Sequence, residues 1–516
     1  MMASIDIAAR IVEFQHLSVR SQVLSVLGLL VVSITFLRSI VSWYRLRHVP
    51  GPFINIWTLW IQVWKIARGE LPYYYDGLAK KYGPLVRVGP NHVVYSDPET
   101  CRRLSAIRSP YTRGPYYEGT RFMPGKDHVG SLIDDKKHAA LRKLLAPGYS
   151  GLENGGFEAS VNDGIARLIS LIEKNYLSTP STLRPFDFAS RAMFFAFDTA
   201  SIAAYSEPLG FLDQDRDPYD LLSRLHAGMP IFASVLIIPG LHKVIQTWPL
   251  KLLMPRIGDR NGLGAIMTFI NRVLSSRLSP SPNHTQDPPP RDVLTSWLSR
   301  PIPPAQLLQE ISLQIIAGSD PVATPLRITL LLLLTSPPTL RSFLSEINTG
   351  ISTGKISSPI TQSEALALPY LQAIIRESIR LYPPTLVAYR TVPKGGDTIH
   401  GHFLPEGTQV GQNTWGMMRS KETFGEDADV FRPERWIGVD KGRWVVMNET
   451  VNLAFGYGKF GCLGKPLAMM EMNKVYVELF RRFEFSLLDP ITPMKIRNAT
   501  LWLISDFWLK VVPREA

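Results

Sequence analysis

The most constraining feature of this sequence is a glycine-rich loop that holds one of its two cysteines. The segment 451–479 reads VNLAFGYGKFGCLGKPLAMMEMNKVYVEL. A strand-like run enters the loop, and a helix is predicted near Lys465, because proline, which comes next, suits a first helical turn. Backbone N–H groups and the helix N-terminus stabilise a thiolate at Cys462, while the glycines let a flat ligand approach the backbone. The loop is typical of a soft anionic sulfur that faces an iron macrocycle.

The same loop also fits a dinucleotide-binding pattern. Residues 456–461 match G-x-G-x-x-G between a strand-like run and a helix. That fold requires an acidic residue about 20 positions further on, at the end of a second strand. Glu478 lies near that distance but falls within the predicted helix, and no β-α repeats follow. The dinucleotide site is therefore the weaker alternative. A Walker loop is excluded because Lys465 is followed by proline.

Composition narrows the class of protein. The chain has 516 residues, of which 45% are hydrophobic and 19% charged, as in globular proteins. Its only cysteines, Cys101 and Cys462, exclude a disulfide framework and a four-cysteine zinc site. The net charge of +12 suggests nucleic acid, an anionic membrane or an acidic partner.

The N-terminal region contains a candidate membrane anchor. Residues 23–37 carry no charge, and with Arg38 included the apolar run reaches residue 44. As a helix it would span roughly 33 Å, enough for a hydrocarbon core of roughly 30 Å. Arg45 and Arg47 follow, which places the C-terminal bulk in the cytosol. A cleaved signal peptide is the alternative. The predicted organisation is a luminal N-terminus (1–22), an anchor (23–44), a basic proline hinge (45–53) and a catalytic domain (54–516).

The predicted secondary structure is mainly α with small β-sheets. An apolar stretch at 229–255 indicates either a core segment or a loop that dips into the membrane. Helices are predicted at 134–147, 157–176, 186–205, 219–235, 260–278, 305–335, 337–349 and 363–381, and strands near 85–96, 386–412 and 483–512.

Four blocks of sequence, in order, resemble the cytochrome P450 family. They are Ala317-Gly-Ser-Asp320, Glu377-Ser-Ile-Arg380, Phe431-Arg-Pro-Glu-Arg435-Trp436 and FGYGKFGCLG at 455–464. The residues of these blocks most resemble those of fungal secondary-metabolism members, and the resemblance covers essentially the whole chain. It implies a P450 fold with haem (iron protoporphyrin IX) between a long central helix and the cysteine helix.

The resemblance also assigns residues to roles. Cys462 is implied as the axial iron ligand, and Glu377, Arg380 and Arg435 as a buried ion network. Asp320 and Thr324 are the candidate catalytic residues on the central helix. The remaining candidate haem contacts are His138, Arg142, Arg390, Phe455, Gly456, Lys459 and Gly464.

Two positions depart from the family pattern. Phe460 stands where the family usually has arginine, two residues before the cysteine, so Lys459 is left to reach either a haem propionate or the redox partner. Pro321 stands where the family usually has threonine, so the acid–alcohol pair that delivers protons lacks its alcohol. Three explanations are open: water or a substrate hydroxyl replaces the alcohol, the oxidation is atypical, or activity is weak and uncoupled.

The implied function is haem-thiolate monooxygenation of a lipophilic small molecule. Electrons would come from NADPH through a membrane-bound P450 reductase, and the protein would lie in the endoplasmic reticulum membrane, without a nucleic acid partner. A reductase-independent isomerase or dehydratase and a non-catalytic haem-binding protein are the alternatives. The candidate docking residues for the reductase are Lys136, Lys137, Arg142, Lys143, Lys459 and Lys474.

Overall fold

The computed structural model describes residues 21–23, 25, 26, 29, 30, 33, 36, 37, 39–153, 155, 157–279, 290–384 and 387–515. Helices dominate these residues, as predicted. The α-helices are α1 (Trp60–Arg68), α2 (Leu71–Tyr82), α3 (Pro98–Ser105), α4 (Pro115–Glu118), α5 (Asp135–Tyr149), α6 (Phe157–Asn175), α7 (Phe188–Tyr205), α8 (Phe211–Gln214), α9 (Leu221–Ile237), α10 (Leu241–Ile245), α11 (Gly262–Leu278), α12 (Val293–Leu298), α13 (Pro304–Ala317), α14 (Asp320–Leu334), α15 (Pro337–Ser352), α16 (Gln362–Leu366), α17 (Pro369–Leu381), α18 (Thr414–Met417), α19 (Lys421–Phe424), α20 (Lys441–Asn452) and α21 (Lys465–Arg482).

The strands form small sheets at the periphery of the helices. One sheet has four strands in the order β1-β2-β7-β4, with β2 and β7 parallel and the other pairs antiparallel. A three-stranded sheet has the order β3-β11-β8, and β9–β10 and β5–β6 form two-stranded pairs. The strands are β1 (Leu85–Gly89), β2 (His92–Tyr95), β3 (Phe186–Asp187), β4 (Tyr389–Thr391), β5 (Asp397–Ile399), β6 (His402–Leu404), β7 (Gln409–Gln412), β8 (Phe483–Leu487), β9 (Lys495–Ala499), β10 (Leu501–Ser505) and β11 (Trp508–Pro513).

Helices α13 and α14 form the centre of the molecule. They pack against α7, whose residues are almost all buried, and α14 also contacts α17 and α21. The stretch Pro304–Leu334 is apolar and long enough to cross a membrane, but 67% of its most apolar window is buried, which identifies a core helix. The cysteine helix α21 thus lies directly against the central helix pair.

The segment before the cysteine loop is helical, so the prediction of a strand-like run was wrong. Asp440 caps α20 by accepting a hydrogen bond from the backbone N–H of Arg443, and the chain then continues as a 3₁₀ turn, Leu453–Phe455. The apolar residues that made the run near Val451 look like a strand come from the partly buried face of this helix. The predicted helix start is correct, because α21 begins at Lys465 with proline as its second residue.

The predicted anchor lies partly outside the described residues. Those that the structure describes between 21 and 46 are helical, and Ser42 and Leu46 at the C-terminal end are buried against the rest of the chain. The guanidinium of Arg87 on β1 donates a hydrogen bond to the Ser42 carbonyl over 3.1 Å. The helix ends at residue 46, within the predicted hinge, where the Pro50 carbonyl accepts a hydrogen bond from the Arg87 N–H. The membrane-spanning role of this segment stays a prediction.

Candidate functional site

The thiol of Cys462 is held by the backbone at the start of α21. Its sulfur accepts hydrogen bonds from the N–H groups of Gly464 and Lys465, and its own N–H donates to the Phe455 carbonyl over 2.7 Å. Protein atoms surround the side chain and yet it is accessible, which places it on the wall of an internal cavity. Burial raises the pKa of the free thiol, while the two N–H groups and Arg142 oppose that rise. The loop is built to accept negative charge once a cation binds the sulfur.

Two glycines allow the cysteine loop to fold tightly. Gly456 has a φ of 73°, and a Cβ there would lie 2.6 Å from the Phe460 carbonyl oxygen. Gly458 has a φ of 55°, and a Cβ there would lie 2.2 Å from the Ser105 carbonyl oxygen. Side chains at these positions would strain the backbone and displace neighbouring main chain. The two glycines therefore serve the loop geometry, while the close approach of a flat ligand stays a prediction.

Two guanidiniums and an imidazole, from three separate segments, surround Phe460. The guanidinium carbon of Arg390 lies 4.0 Å from the centre of the phenyl ring, and that of Arg113 lies 5.2 Å away. The imidazole of His138 is 5.9 Å from the ring between centroids. Arg390 also contacts the Tyr117 hydroxyl. The structure thus brings together Arg390, His138 and the cysteine loop, and adds Arg113, which the sequence analysis missed.

This cationic cluster carries unsatisfied hydrogen-bond donors. Buried Nε atoms of Arg113 and Arg390 and the Nε2 of His138 have no hydrogen-bond partner within the described part of the chain. Burial, followed by the charges of Arg113 and Arg142, lowers the pKa of His138 to about 3. Burial likewise lowers the pKa of Arg113 to about 10. A cluster of this kind needs an anion that brings several acceptor oxygens.

Lys459 is only partly available to such an anion. Its Nζ lies 2.5 Å from the Asp135 carboxylate and 3.0 Å from the Ser109 carbonyl oxygen, and it also sits 5.1 Å from the Phe460 ring centre. Asp135 therefore neutralises most of its charge. Lys459 links the cysteine loop to the start of α5, which is a structural contact that the sequence analysis did not consider.

The three residues of the predicted ion network do meet. Arg380 forms a two-pronged pair with Glu377 at 2.8 and 2.9 Å, and Arg435 donates to the same carboxylate over 2.8 Å. Glu377 and Arg380 are 0% exposed. Trp436, which was missed, adds a hydrogen bond from its indole N–H over 2.9 Å. Both arginines also donate to main-chain carbonyls between 418 and 430, so the network fixes this stretch of the chain.

The central helix is interrupted beside the predicted catalytic residues. Gly318 and Ser319 form a turn between α13 and α14, and Pro321 occupies the second position of α14. Proline lacks an N–H for the Ala317 carbonyl, which explains the break. Ala317 and Pro321 remain accessible, whereas Thr324 is only 1% exposed. Asp320 is also buried, at 4% exposed, so it differs from Thr324 in its charged neighbours rather than in accessibility.

Asp320 faces two basic groups. One oxygen lies 3.4 Å from Nη1 of the buried Arg327, and the other lies 3.8 Å from Nε2 of His226 on α9. The Nε and Nη2 atoms of Arg327 donate hydrogen bonds to the Ala189 carbonyl oxygen. His226 is partly exposed, while its buried Nε2 has no hydrogen-bond partner among the described residues. The imidazole thus lies between solvent and the Asp320 carboxylate, a contact for which the sequence gave no signal.

Comparison with known proteins identifies the family that has this arrangement. The sequence profile described as Cytochrome P450 matches residues 50–510, which is most of the chain. The chain belongs to the cytochrome P450 family. It is 36% identical over 499 residues to cytochrome P450 monooxygenase ABA1 of Pyricularia oryzae, covering 94% of this chain and 96% of that one. It is 34% identical to cytochrome P450 monooxygenase aba1 of Botryotinia fuckeliana, covering 91% of this chain and 92% of that one. It is 31% identical to cytochrome P450 monooxygenase abl1 of Leptosphaeria maculans, covering 91% of this chain and 84% of that one.

As a P450, the chain is a haem-thiolate monooxygenase, and the described residues fit that cofactor. Cys462 would bind the iron, and the orphaned donors of His138, Arg113 and Arg390 match the carboxylates of the haem propionates. Bound through a thiolate, haem supplies activation of molecular oxygen. Arg113 provides a second guanidinium beside Phe460, which explains how the site tolerates the loss of arginine at 460.

Proposed function

We propose that this P450 oxidises a lipophilic secondary metabolite at the endoplasmic reticulum membrane with electrons from an NADPH-dependent reductase. The observation that carries the proposal is the Cys462 sulfur on a cavity wall, held by two backbone N–H groups. The oxygen-activating group would lie there, and the chain would orient an apolar substrate above it. Ala317, Leu313 and Ile316 on α13 are all at least partly accessible, which supports an apolar pocket.

A basic surface on α5 supports docking of an acidic electron donor. Helix α5 exposes Lys136, Lys137 and Lys143. It also carries the haem-contact candidates His138 and Arg142. Lys474 does not belong to that surface. It is buried on α21 and paired with Glu158, since the helix face that holds it packs against α6.

An exposed apolar surface supports membrane association. Ile231 on α9 is 68% exposed, and Trp248 and Leu253 in the stretch between α9 and α11 are 74% and 83% exposed. Helix α1 packs against α9 and adds exposed Trp60 and Trp64. These exposed apolar side chains favour the membrane-dipping interpretation of residues 229–255 over the core interpretation.

We also propose that His226 replaces the missing alcohol, so that His226 and Asp320 deliver protons together. Burial lowers the pKa of His226, so its imidazole is neutral at pH 7 and can accept a proton at one nitrogen while donating from the other. Asp320 lies next in line, at the break in the central helix. This refines the hypothesis that ordered water replaces the alcohol, because the imidazole gives such water a fixed route from the surface.

The proposed reaction is tested with purified protein, a fungal P450 reductase and a panel of terpenoids, polyketides and alkaloids. We expect a thiolate-type reduced, CO-bound spectrum, NADPH consumption that depends on one class of compound, and one ¹⁸O atom from ¹⁸O₂ in its product. A product formed without NADPH and without label would instead establish an isomerase or dehydratase. A thiolate spectrum with no turnover of any compound would favour a non-catalytic haem protein.

The proton route predicts changes in coupling. We expect His226→Phe to raise peroxide release per NADPH by about tenfold, less than the roughly 100-fold typical of a general acid because water can substitute in part. In the Pro321→Thr background, which restores the alcohol, the same change should have a smaller effect. His402→Gln, a histidine far along the chain on β6, is the control and should not alter coupling. Equal peroxide release by wild type, His226→Phe and Pro321→Thr would exclude the route.

A further inference from the structure

A lysine at the start of the cysteine helix holds its charge among neutral groups. Lys465 is the first residue of α21, and its Nζ donates a hydrogen bond to the side-chain oxygen of Asn452 over 2.8 Å. The same ammonium lies 5.4 Å from the centre of the Phe455 ring, whose π face attracts a cation. Among the residues that the structure describes, no carboxylate lies within ion-pair distance of it. Such a partly desolvated charge is costly unless a negative charge forms nearby.

The other cations around the cysteine loop have different partners. Lys459 is paired with the Asp135 carboxylate, and the cationic cluster around Phe460 fits the haem propionates. Lys465 differs from them because both of its side-chain contacts are neutral. It is also only partly exposed, whereas the lysines proposed for docking on α5 are fully exposed. Its charge therefore acts within the cysteine loop rather than on a protein partner.

The sulfur of Cys462 is the group in the loop that this charge reaches. The Lys465 N–H donates a hydrogen bond to the sulfur, so the main chain already joins the two residues. Burial raises the pKa of the Cys462 thiol, and the charges of Arg142 and Lys465 oppose that rise. Arg142 is a predicted propionate contact, and a bound propionate would neutralise it. Lys465 then remains as a cation that acts on the sulfur without a counter-charge of its own.

A fixed positive charge beside the sulfur has a defined effect on a bound iron. Reduction adds one electron to the unit formed by iron and thiolate, and a nearby cation stabilises the more negative, reduced state. Salt screens this interaction only weakly in a partly buried site. We propose that Lys465 is a positioning residue that acts through the Cys462 sulfur and raises the reduction potential of the bound haem. The proposal depends on the haem-thiolate ligation of the family and not on the substrate.

The test is the reduction potential of the ferric holoprotein in detergent, measured against a redox dye of known potential. Lys465→Met keeps the aliphatic stem and removes the charge. It should lower the equilibrium constant for reduction about tenfold, which is about 59 mV for one electron. A unit charge roughly 10 Å away at an effective dielectric constant of about 20 has an effect of this size. Lys465→Arg keeps the charge and should retain the wild-type potential.

A second measurement separates the charge of Lys465 from a structural contact. Without the cation, the sulfur donates more electron density to iron, and the iron passes more of it to bound CO. The CO stretching frequency of the reduced, CO-bound protein should therefore fall in Lys465→Met and stay unchanged in Lys465→Arg. A loosened loop without an electrostatic effect would not lower the potential and the CO frequency together.

Arg376 on α17 provides the matched control. It is also a partly exposed cation with neutral partners, since its Nε donates to the Asn448 side-chain oxygen over 3.1 Å and its Nη1 to the Gln372 carbonyl oxygen over 2.8 Å. Its charge acts on Lys465, whereas the thiol of Cys462 is influenced by Arg142 and Lys465. Arg376→Met should therefore shift the reduction potential much less than Lys465→Met does.

Three results would overturn this role of Lys465. They are an unchanged potential in Lys465→Met with an intact thiolate spectrum, equal shifts in Lys465→Met and Lys465→Arg, and equal shifts in Lys465→Met and Arg376→Met. If Lys465→Met fails to retain haem, Lys465→Gln takes its place, because an amide can still donate to Asn452 while carrying no charge. A wild-type protein without a thiolate spectrum would reject the haem-thiolate assignment itself.

Discussion

Cys462→Ala is expected to abolish the thiolate-type reduced, CO-bound spectrum and all oxygenation, while the chain remains folded. The Cys462 sulfur is the soft ligand that the cysteine loop provides for iron, and it accepts hydrogen bonds from the Gly464 and Lys465 N–H groups. Removing it leaves the N–H groups of a helix start, which cannot ligate a metal. The loss should therefore be complete, unlike the partial effect of removing one propionate contact. The measurement is the absorption spectrum of the reduced protein under CO, together with haem content.

The second cysteine provides the matched control. Cys101 on α3 is 1% exposed and donates a weak hydrogen bond to the Gln412 amide oxygen over 3.5 Å. Burial raises the pKa of its thiol, so it stays protonated and unreactive. Cys101→Ala should keep the thiolate spectrum and lose only stability. If Cys462→Ala retained that spectrum while Cys101→Ala lost it, the assignment of the iron ligand would be wrong.

The residues that the sequence could predict are those whose role is local. Glu377 and Arg380 are one helical turn apart, and Cys462, Gly464 and Lys465 belong to one loop and helix start, so short motifs describe their geometry. Arg113 and His226 could not be found in this way, because each meets its partners only after segments distant in the chain have packed. Arg113 comes from the segment before α4, and it reaches Phe460 across more than 300 residues of sequence.

Burial was the other quantity that the sequence could not supply. Lys474 and the three residues Lys136, Lys137 and Lys143 are alike in sequence as basic residues on helices. The fold buries Lys474 against Glu158 and exposes the others. Pro321 is different, because a proline disturbs the helix that contains it wherever that helix lies in the fold. The sequence analysis predicted one helix over 305–335, although Pro321 could have indicated the interruption at Gly318 and Ser319, whereas no local pattern indicates the neighbours of Asp320.

Glu377→Gln is expected to destabilise the protein by about 3–5 kcal/mol, the usual cost of breaking a buried ion pair on one side. The change would leave the guanidiniums of Arg380 and Arg435 buried beside an amide, and both also donate to main-chain carbonyls between 418 and 430. Haem retention should fall together with stability. The measurements are chemical unfolding of the holoprotein and the rate of haem transfer to apomyoglobin.

The same network predicts the direction of the pH dependence. Burial alone would raise the pKa of Glu377, but the hydrogen bonds and charge of Arg380 and the charge of Arg435 hold it below its ordinary value of 4.5. A depressed pKa stabilises the fold above the unfolded-state value, and this contribution is lost as the pH falls through the folded-state pKa. The wild type should therefore lose stability below about pH 4.5 more steeply than Glu377→Gln.

An exposed ion pair gives the control for Glu377. Glu426 lies 2.8 Å from Lys421 and is 87% exposed, so Glu426→Gln should cost no more than about 1 kcal/mol and leave haem transfer unchanged. Adding Arg435→Leu to Glu377→Gln should destabilise less than the sum of the two changes, because they break the same contact. Strict additivity, or equal costs at Glu377 and Glu426, would show that the three residues do not act as one network. In that case residues 418–430 would have to be held by their main-chain contacts alone.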